Sequence, residues 1–310
     1  MINKVRNLKA AVGEFVHDGD VVVMEGFTHL IPFAAAHEII RQRRRNLTLV
    51  RLTPDLIYDQ LIGAGCCRKL VFSWAGNPGV GSLHAFRRAV GASALEIEEY
   101  SHFGLAMRFF AGAANLPFMP IRGYFGSDLP KVNPNIKPLV SPYGGESLYA
   151  VPAILPDVAI LHAQRADSDG NVQIWGLTGM QREAAFASKR VIVTVEEIVS
   201  PEVIRADPNR TLIPGLIVSA VCQVPFGAHP SYTMGYYDRD TEFYLRWEEI
   251  SRDPRLLEEW LRDWVDETPS REAYIERLGR ARLEALQPLP HLSEPVNYGR
   301  YRRTRRRQRW

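Results

Sequence analysis

Apolar residues recur along this chain in two alternating rhythms. Leu8, Val12, Phe15 and Val16 share one helical face, and Asp18-Gly19 predicts a turn after them. Val21 to Met24 is a continuous apolar run that reads as a buried strand, with a loop at Glu25-Gly26-Phe27-Thr28. Pro32 suits the first turn of a helix running to about Gln42. Leu47 to Leu52 reads as a strand, Asp55 to Ile62 as a helix and Lys69 to Trp74 as a strand. A tight loop, Gly76-Asn77-Pro78-Gly79-Val80-Gly81, precedes a helix capped by Ser82 and running to about Val90. Leu95 to Tyr100 predicts a further strand and Ser101 to Ala114 a further helix. Strand-helix units repeated this closely predict an α/β fold, a mostly parallel sheet flanked by helices.

The rhythm weakens over residues 123–150, which hold Pro130, Pro134, Pro138 and Pro142 with Gly123, Gly126, Gly144 and Gly145. A long irregular segment of this kind is expected to serve function more than decoration. Regular signals resume at the Val158 to Ala163 strand, the Asp167-to-Asn171 turn and the Val172 to Trp175 run. Arg182 to Lys189 predicts a helix and Arg190 to Val199 a long buried strand. Residues 253–286 read as two amphipathic helices parted near Thr268-Pro269. With no internal repeat or linker, the expectation is one domain over residues 1–290 and a basic tail over 291–310.

Composition narrows the class. Hydrophobic residues make up 46% and charged residues 24%, the balance of a soluble globular enzyme. The net charge is +3, yet Arg300 to Trp310 alone carry seven arginines and no acid. Removing those seven leaves a body at −4, so a basic surface built to clamp nucleic acid is not indicated. Three cysteines, Cys66, Cys67 and Cys222, lack metal or disulfide-framework spacing. No apolar run approaches the ~20 residues of a membrane span, and Met1 leads into a polar amphipathic stretch, so a cytoplasmic location is expected.

The candidate chemistry gathers at predicted strand ends, where ligands collect in parallel α/β sheets. The loop at 76–81 lacks the ending of a nucleotide-binding P-loop and the glycine order of a dinucleotide fingerprint. As a strand-to-helix turn it can aim amides at an anion or a developing oxyanion, or it is a structural turn alone. Glu25 ends one predicted strand; Glu98 and Glu99 end another. Each suits a nucleophile or base, and each suits still better a salt-bridged strand end. The eight histidines show no metal spacing; His29 lies beside the first loop, within reach of a substrate there or hydrogen-bonded within the loop.

Taken together these loops resemble family I coenzyme A-transferases, in particular the A-type chain of glutaconate CoA-transferase. One matching stretch runs Asp18-Gly19-Asp20-Val21-Val22-Val23-Met24-Glu25-Gly26-Phe27, with Pro32 following. A second runs from Asp157 to Gln164 and on through Asp169-Gly170-Asn171 to Ile174-Trp175-Gly176. Val195-Glu196-Glu197-Ile198 and Gly227-Ala228-His229-Pro230-Ser231 complete the set, in family order. Two positions depart from the pattern: Glu25 stands for the first glycine of Gly-Gly-Phe, and Leu30 for a glycine found in many members.

The resemblance implies the CoA-transferase (sugar-isomerase-like) fold. It also implies an enzyme that moves CoA between an acyl-CoA and a carboxylic acid, such as a dicarboxylate or 3-oxoacid. CoA is then a substrate, with no permanently bound cofactor and no metal. A glutamate forms an acyl anhydride and then an enzyme-CoA thioester. In two-subunit members that glutamate lies on the B-type chain, and Ser73-Trp74-Ala75-Gly76-Asn77 here contains none. The implied partner is therefore a B-type subunit in a hetero-oligomer, with Glu25, Glu98 and Glu99 as fallbacks on this chain. Gly26, Phe27, Thr28, Ser73, Asn77, Gly79 and Gly81 are the expected substrate-binding positions. Two rivals stand beside this reading. A CoA-thioester or ring-cleaving hydrolase on the same fold would draw its acid from those three glutamates; Ser141-Pro142-Tyr143 and the glycines after it resemble that branch. A non-enzymatic ligand-binding module is the other rival, although no helix-turn-helix extension is evident.

Overall fold

The computed structural model describes residues 3–288 apart from Pro78; the expected basic tail lies outside the described residues. Alternating units open the chain: α1 (Leu8–Phe15), β1 (Val21–Met24), α2 (Phe33–Arg41), β2 (Leu47–Val50), α3 (Leu56–Gly63), β3 (Cys67–Phe72), α4 (His84–Gly91), β4 (Glu96–Glu99) and α5 (His102–Ala113). Then come β5 (Phe118–Ile121), α6 (Leu129–Val132), β6 (Lys137–Val140), β7 (Ser147–Pro152), β8 (Val158–Ala166), β9 (Val172–Gln173), α7 (Gln181–Ala187) and β10 (Arg190–Ile198). The chain continues through α8 (Pro201–Ala206), β11 (Thr211–Ile213), β12 (Ala220–Gln223), α9 (Thr241–Arg252), α10 (Pro254–Leu261), α11 (Arg271–Leu278) and α12 (Arg280–Ala285).

Seven strands of the main sheet are parallel. β2, β3 and β4 step away from β1 on one side, while β8, β10 and β12 step away on the other. Residues of β1, β2 and β8 are buried almost throughout, which explains why the sequence shows unbroken apolar runs there. One apolar layer, including Phe33, Ile39, Leu61 and Trp247, covers one face. Another, including Leu105, Phe109, Leu161 and Val193, covers the other. Among the described residues no helix is long and apolar enough to cross a membrane.

The chain reverses its direction of spread at β1, which therefore borders a topological switch point with β8. β10 occupies one side of β8 as far as Ala166, so the antiparallel β9, paired to Arg165 and Ala166, takes the β1 side beyond Met24. Such a switch point is where a ligand crevice is expected, here between the loop after β1 and the segment leading from β9 to α7.

Several expected boundaries shift. The helix after the glycine loop starts at His84 with Leu83 at its cap and no side-chain cap bond, so Ser82 does not cap it. α9 is an additional helix, and residues 253–286 hold three short α-helices, α10 to α12, where two were expected. The irregular 123–150 region contains α6 and β6 and leads into β7, part of a three-stranded antiparallel sheet ordered β5-β7-β6. Pro120 and Pro138 sit on its two edge strands, the positions where a missing N–H costs no ladder bond.

Candidate active site

Glu25 follows β1 directly and retains 3% exposure. Its Oε2 accepts from the Gly26 amide at 3.3 Å and its Oε1 from the Leu52 amide at 3.3 Å. The Met180 amide also acts on this carboxyl. Burial raises its pKa above the usual carboxylate range, against the opposing pull of the Arg51 charge and these amides. Arg51, 1% exposed, pairs with Asp55 at 3.0 Å and donates to the Gly26 carbonyl. Asp55 is also the N-cap of α3. Two carboxyls thus share one buried guanidinium at the ends of β1 and β2.

The turn after Glu25 is tightly constrained. Gly26 has φ +155°, and a Cβ there would lie 2.7 Å from the carbonyl oxygens of His29 and Leu30. Thr28 and Leu30 both hold φ +57°, in the region that favours glycine. That is the physical meaning of Leu30 standing where glycine is common: the backbone suits glycine, while the leucine side chain is fully buried. Phe27 leaves the turn with 42% of its surface exposed. The loop at 226–237 braces this turn: Ser231 Oγ donates to Thr28 O at 2.8 Å, and the Leu30 amide to Tyr232 O at 3.0 Å. His29 joins three loops, with Nδ1 at 2.7 Å from Leu177 O and Nε2 accepting from the Met234 amide at 3.0 Å. Its role is thus structural, as a hydrogen-bonded loop histidine.

Beneath the 226–237 loop lies a polar network. Glu196 accepts from Tyr237 at 2.7 Å and the Phe226 amide at 2.8 Å, and meets His162 Nε2 at 2.8 Å. His229 spans Asp240 at 2.9 Å and Tyr274 at 3.0 Å. The histidines and glutamate of the sequence motifs are therefore buried scaffolding that fixes the loops above them.

Ser73 follows β3 and donates to Leu52 O, which ties the second candidate loop to the first. Asn77 is 2% exposed, and neither its Oδ1 nor its Nδ2 finds a partner among the described residues. A buried carboxamide with both ends unpaired is costly unless a water or a ligand meets it, which makes Asn77 a candidate ligand-binding group. Gly79 (φ +75°) and Gly81 (φ +121°) shape its turn. A Cβ on Gly81 would lie 2.5 Å from Glu248 of α9, so that glycine permits close packing. Cys66 and Cys222 are buried and Cys67 is half-buried, and desolvation pushes the thiols up to about 11 for Cys66 and about 12 for Cys67 and Cys222.

Glu98 and Glu99 lie elsewhere. Val23, Val50, Val71 and Glu98 share one level across the sheet, so β4 stands three strand spacings, roughly 14 Å, from β1. Glu98 is bound by Lys69 at 2.7 Å and Arg108 at 2.8 Å. Burial works to raise its pKa, but bonds from Lys69 and Tyr100 and the Arg108 charge win and lower it. It is the salt-bridged strand-end acid of the two readings offered for it, and Glu99 is exposed beside it.

Comparison with known proteins then decides the family: the coenzyme A transferase model matches residues 5–223. The chain belongs to the coenzyme A transferase family. It is 58% identical over 261 residues to the A-type chain of the 3-oxoadipate CoA-transferase of Pseudomonas knackmussii, covering 83% of this chain and 92% of that protein. It is 36% identical to the A-type chain of the glutaconate CoA-transferase of Acidaminococcus fermentans, covering 96% of this chain and 98% of that one. The crystal structure of the latter enzyme superposes with a TM-score of 0.88, covering 93% of this chain and 96% of its own. The IpdA chain of a cholesterol ring-cleaving hydrolase of Mycobacterium tuberculosis is 30% identical over 71% of this chain and 78% of its own.

Within this transferase fold, the structure brings Gly26, Phe27, Thr28 and Ser73 onto adjoining loops and places Asn77, Gly79 and Gly81 on the turn that follows. Sequence reading missed Arg51, Asp55 and the Gly179-Met180-Gln181 segment. The one available signal was Arg51, a charge interrupting the apolar run Leu47 to Leu52.

Proposed function

We propose that this chain is the A-type component of a two-chain CoA-transferase, that it lines the acyl pocket, and that its B-type partner supplies the nucleophilic glutamate. One observation carries the reading: the acid at the crevice, Glu25, is buried with both oxygens held by backbone amides, the setting of a structural carboxyl and not of a free nucleophile. The partner's carboxylate then attacks the acyl-CoA carbonyl, forming a mixed anhydride and expelling CoA thiolate. The thiolate adds to the glutamyl carbonyl, releasing the free acid and leaving a glutamyl-CoA thioester. An incoming carboxylate runs these steps in reverse. On this chain, the Asn77 carboxamide and the Gly79 and Gly81 amides of its turn stabilise the oxygen that gains charge at each addition. The 58% identity to a chain of a 3-oxoadipate CoA-transferase supports a 3-oxo dicarboxylic acid as the substrate class.

The test is co-expression with a B-type subunit, offering an acyl-CoA with and without 3-oxoadipate. Transfer that requires both chains and the acceptor supports the reading. Release of free CoA without an acceptor would favour the thioester-hydrolase alternative, and activity of this chain alone would return the nucleophile to it. Asn77→Ala is expected to lower kcat/KM by about 10²-fold or more, the scale of one lost oxyanion donor; unchanged turnover and affinity remove Asn77 from the site.

A further inference from the structure

We propose that Glu25 is a positioning residue for CoA transfer, one that fixes the Gly26–Thr28 turn and thereby the wall of the acyl pocket. The inference rests on assigning that turn to the pocket. Three chain segments that are distant in sequence converge on this one side chain: the turn after β1, the loop after β2 through Leu52, and the segment before α7 through Met180. Gly26 is held from both directions, its N–H by Glu25 and its carbonyl by Arg51. The direction in which Phe27 leaves is therefore set by the pair. Across the crevice, a Cβ on Gly179 would lie 3.3 Å from Phe27 Cβ and 3.5 Å from Glu25 Oε2, so the two walls meet at this carboxylate.

The clamp also responds to pH. The charged and titratable groups coupled around it are Arg51 at the end of β2, Asp55 at the N-cap of α3, Tyr58 of α3, Arg239 before α9, and Tyr244 of α9. Burial raises both Glu25 and Asp55, so Glu25 loses its charge at a higher pH than an ordinary glutamate as the medium is acidified. Protonation weakens its hold on the amides and loosens the turn. Turnover then falls on an acid limb displaced upward from the usual carboxylate range.

The experiment uses the complex of this chain with its B-type partner, an acyl-CoA donor and an acceptor acid. Glu25→Gln keeps the shape but removes the charge. The expected result is a loss of kcat/KM of about 10²-fold, the scale of an ångström-sized misplacement, together with disappearance of the acid limb. Glu25→Asp is expected to recover part of the rate and to restore the limb. Glu25→Gln with wild-type kcat/KM and pH profile overturns the proposal. Should that variant fail to fold or assemble, Gly179→Ala crowds Phe27 of the same turn, 3.3 Å from its Cβ, while meeting Glu25 Oε2 at ordinary contact distance. A folded, assembled Gly179→Ala complex with wild-type kinetics overturns the proposal equally. A wild-type complex that transfers no CoA refutes the underlying function instead, and is seen before any variant is made.

Discussion

His29 shows how one buried side chain makes the loops at the crevice sensitive to acid. Its Nδ1 donates to Leu177 O and its Nε2 accepts from the Met234 amide, so the geometry requires the neutral ring. Burial lowers its pKa to about 4, with the nearby His162 adding to the fall and the Leu177 bond opposing it. The ordinary value is 6.5, so between those two values the unfolded chain binds a proton that the folded chain refuses. Stability therefore falls as pH drops from about 6.5 to about 4, by roughly 3 kcal/mol from this residue, and no further below. Urea unfolding at pH 7 and pH 4.5 measures it. His29→Gln should be less stable at pH 7 by about 1–2 kcal/mol yet lose less on acidification than wild type. An equal loss in both proteins would mean that His29 does not carry the effect.

At the scale of elements, helix α5 illustrates a contact that no periodicity announces. Its Gly112 faces Ile154 of the segment before β8, where a Cβ would lie 2.1 Å from a backbone oxygen and 2.9 Å from Ala187 of α7. Arg108 of the same helix donates to Pro152 O at 3.0 Å and its carbonyl accepts from the Ile154 amide at 3.1 Å. The clash is with backbone and cannot be relieved by rotating a side chain. Gly112→Ala should therefore cost about 2–3 kcal/mol, read as a lower melting temperature with the far-UV spectrum retained. Legibility divides along the same line. Buried parallel strands such as Val21–Met24 and Val158–Ala166 announce themselves, because burial on both faces leaves an unbroken apolar run. The small sheet of β5, β6 and β7 did not, because Pro138 reads as a breaker and the run around Pro120 gives no strand signal until their edge positions are known. The candidate loops were legible because glycine and proline mark strand ends. The Glu25–Arg51–Asp55 centre was only half legible: an acid ending an apolar strand stands out, but its partners come from the next strand end, a helix cap and the distant Met180.

At the scale of the molecule, the catalytic edge also has to serve as a joining surface if the glutamate comes from a second chain. Phe27 and Trp74 follow β1 and β3 with 42% and 46% of their surfaces exposed, large apolar area beside the proposed pocket. Leu116 is 44% exposed but follows the end of α5, near Gly112, whose neighbours Ile154 and Ala187 precede β8 and β10. Leu116 therefore sits at the opposite edge of the sheet. Central aromatic anchors carry a large share of association energy, whereas apolar side chains outside a contact carry almost none. Trp74→Glu is thus expected to weaken association with the B-type partner by about tenfold or more, measured by calorimetric titration or by the concentration dependence of the complex's mass. Leu116→Glu, similar in exposure and change of charge, is expected to leave association unaltered. Equal loss in both would mean that added charge alone disturbs the complex. Loss only in Leu116→Glu would put the partner at the far edge of the sheet, where its glutamate could not reach an acyl group held between the loops after β1 and β3.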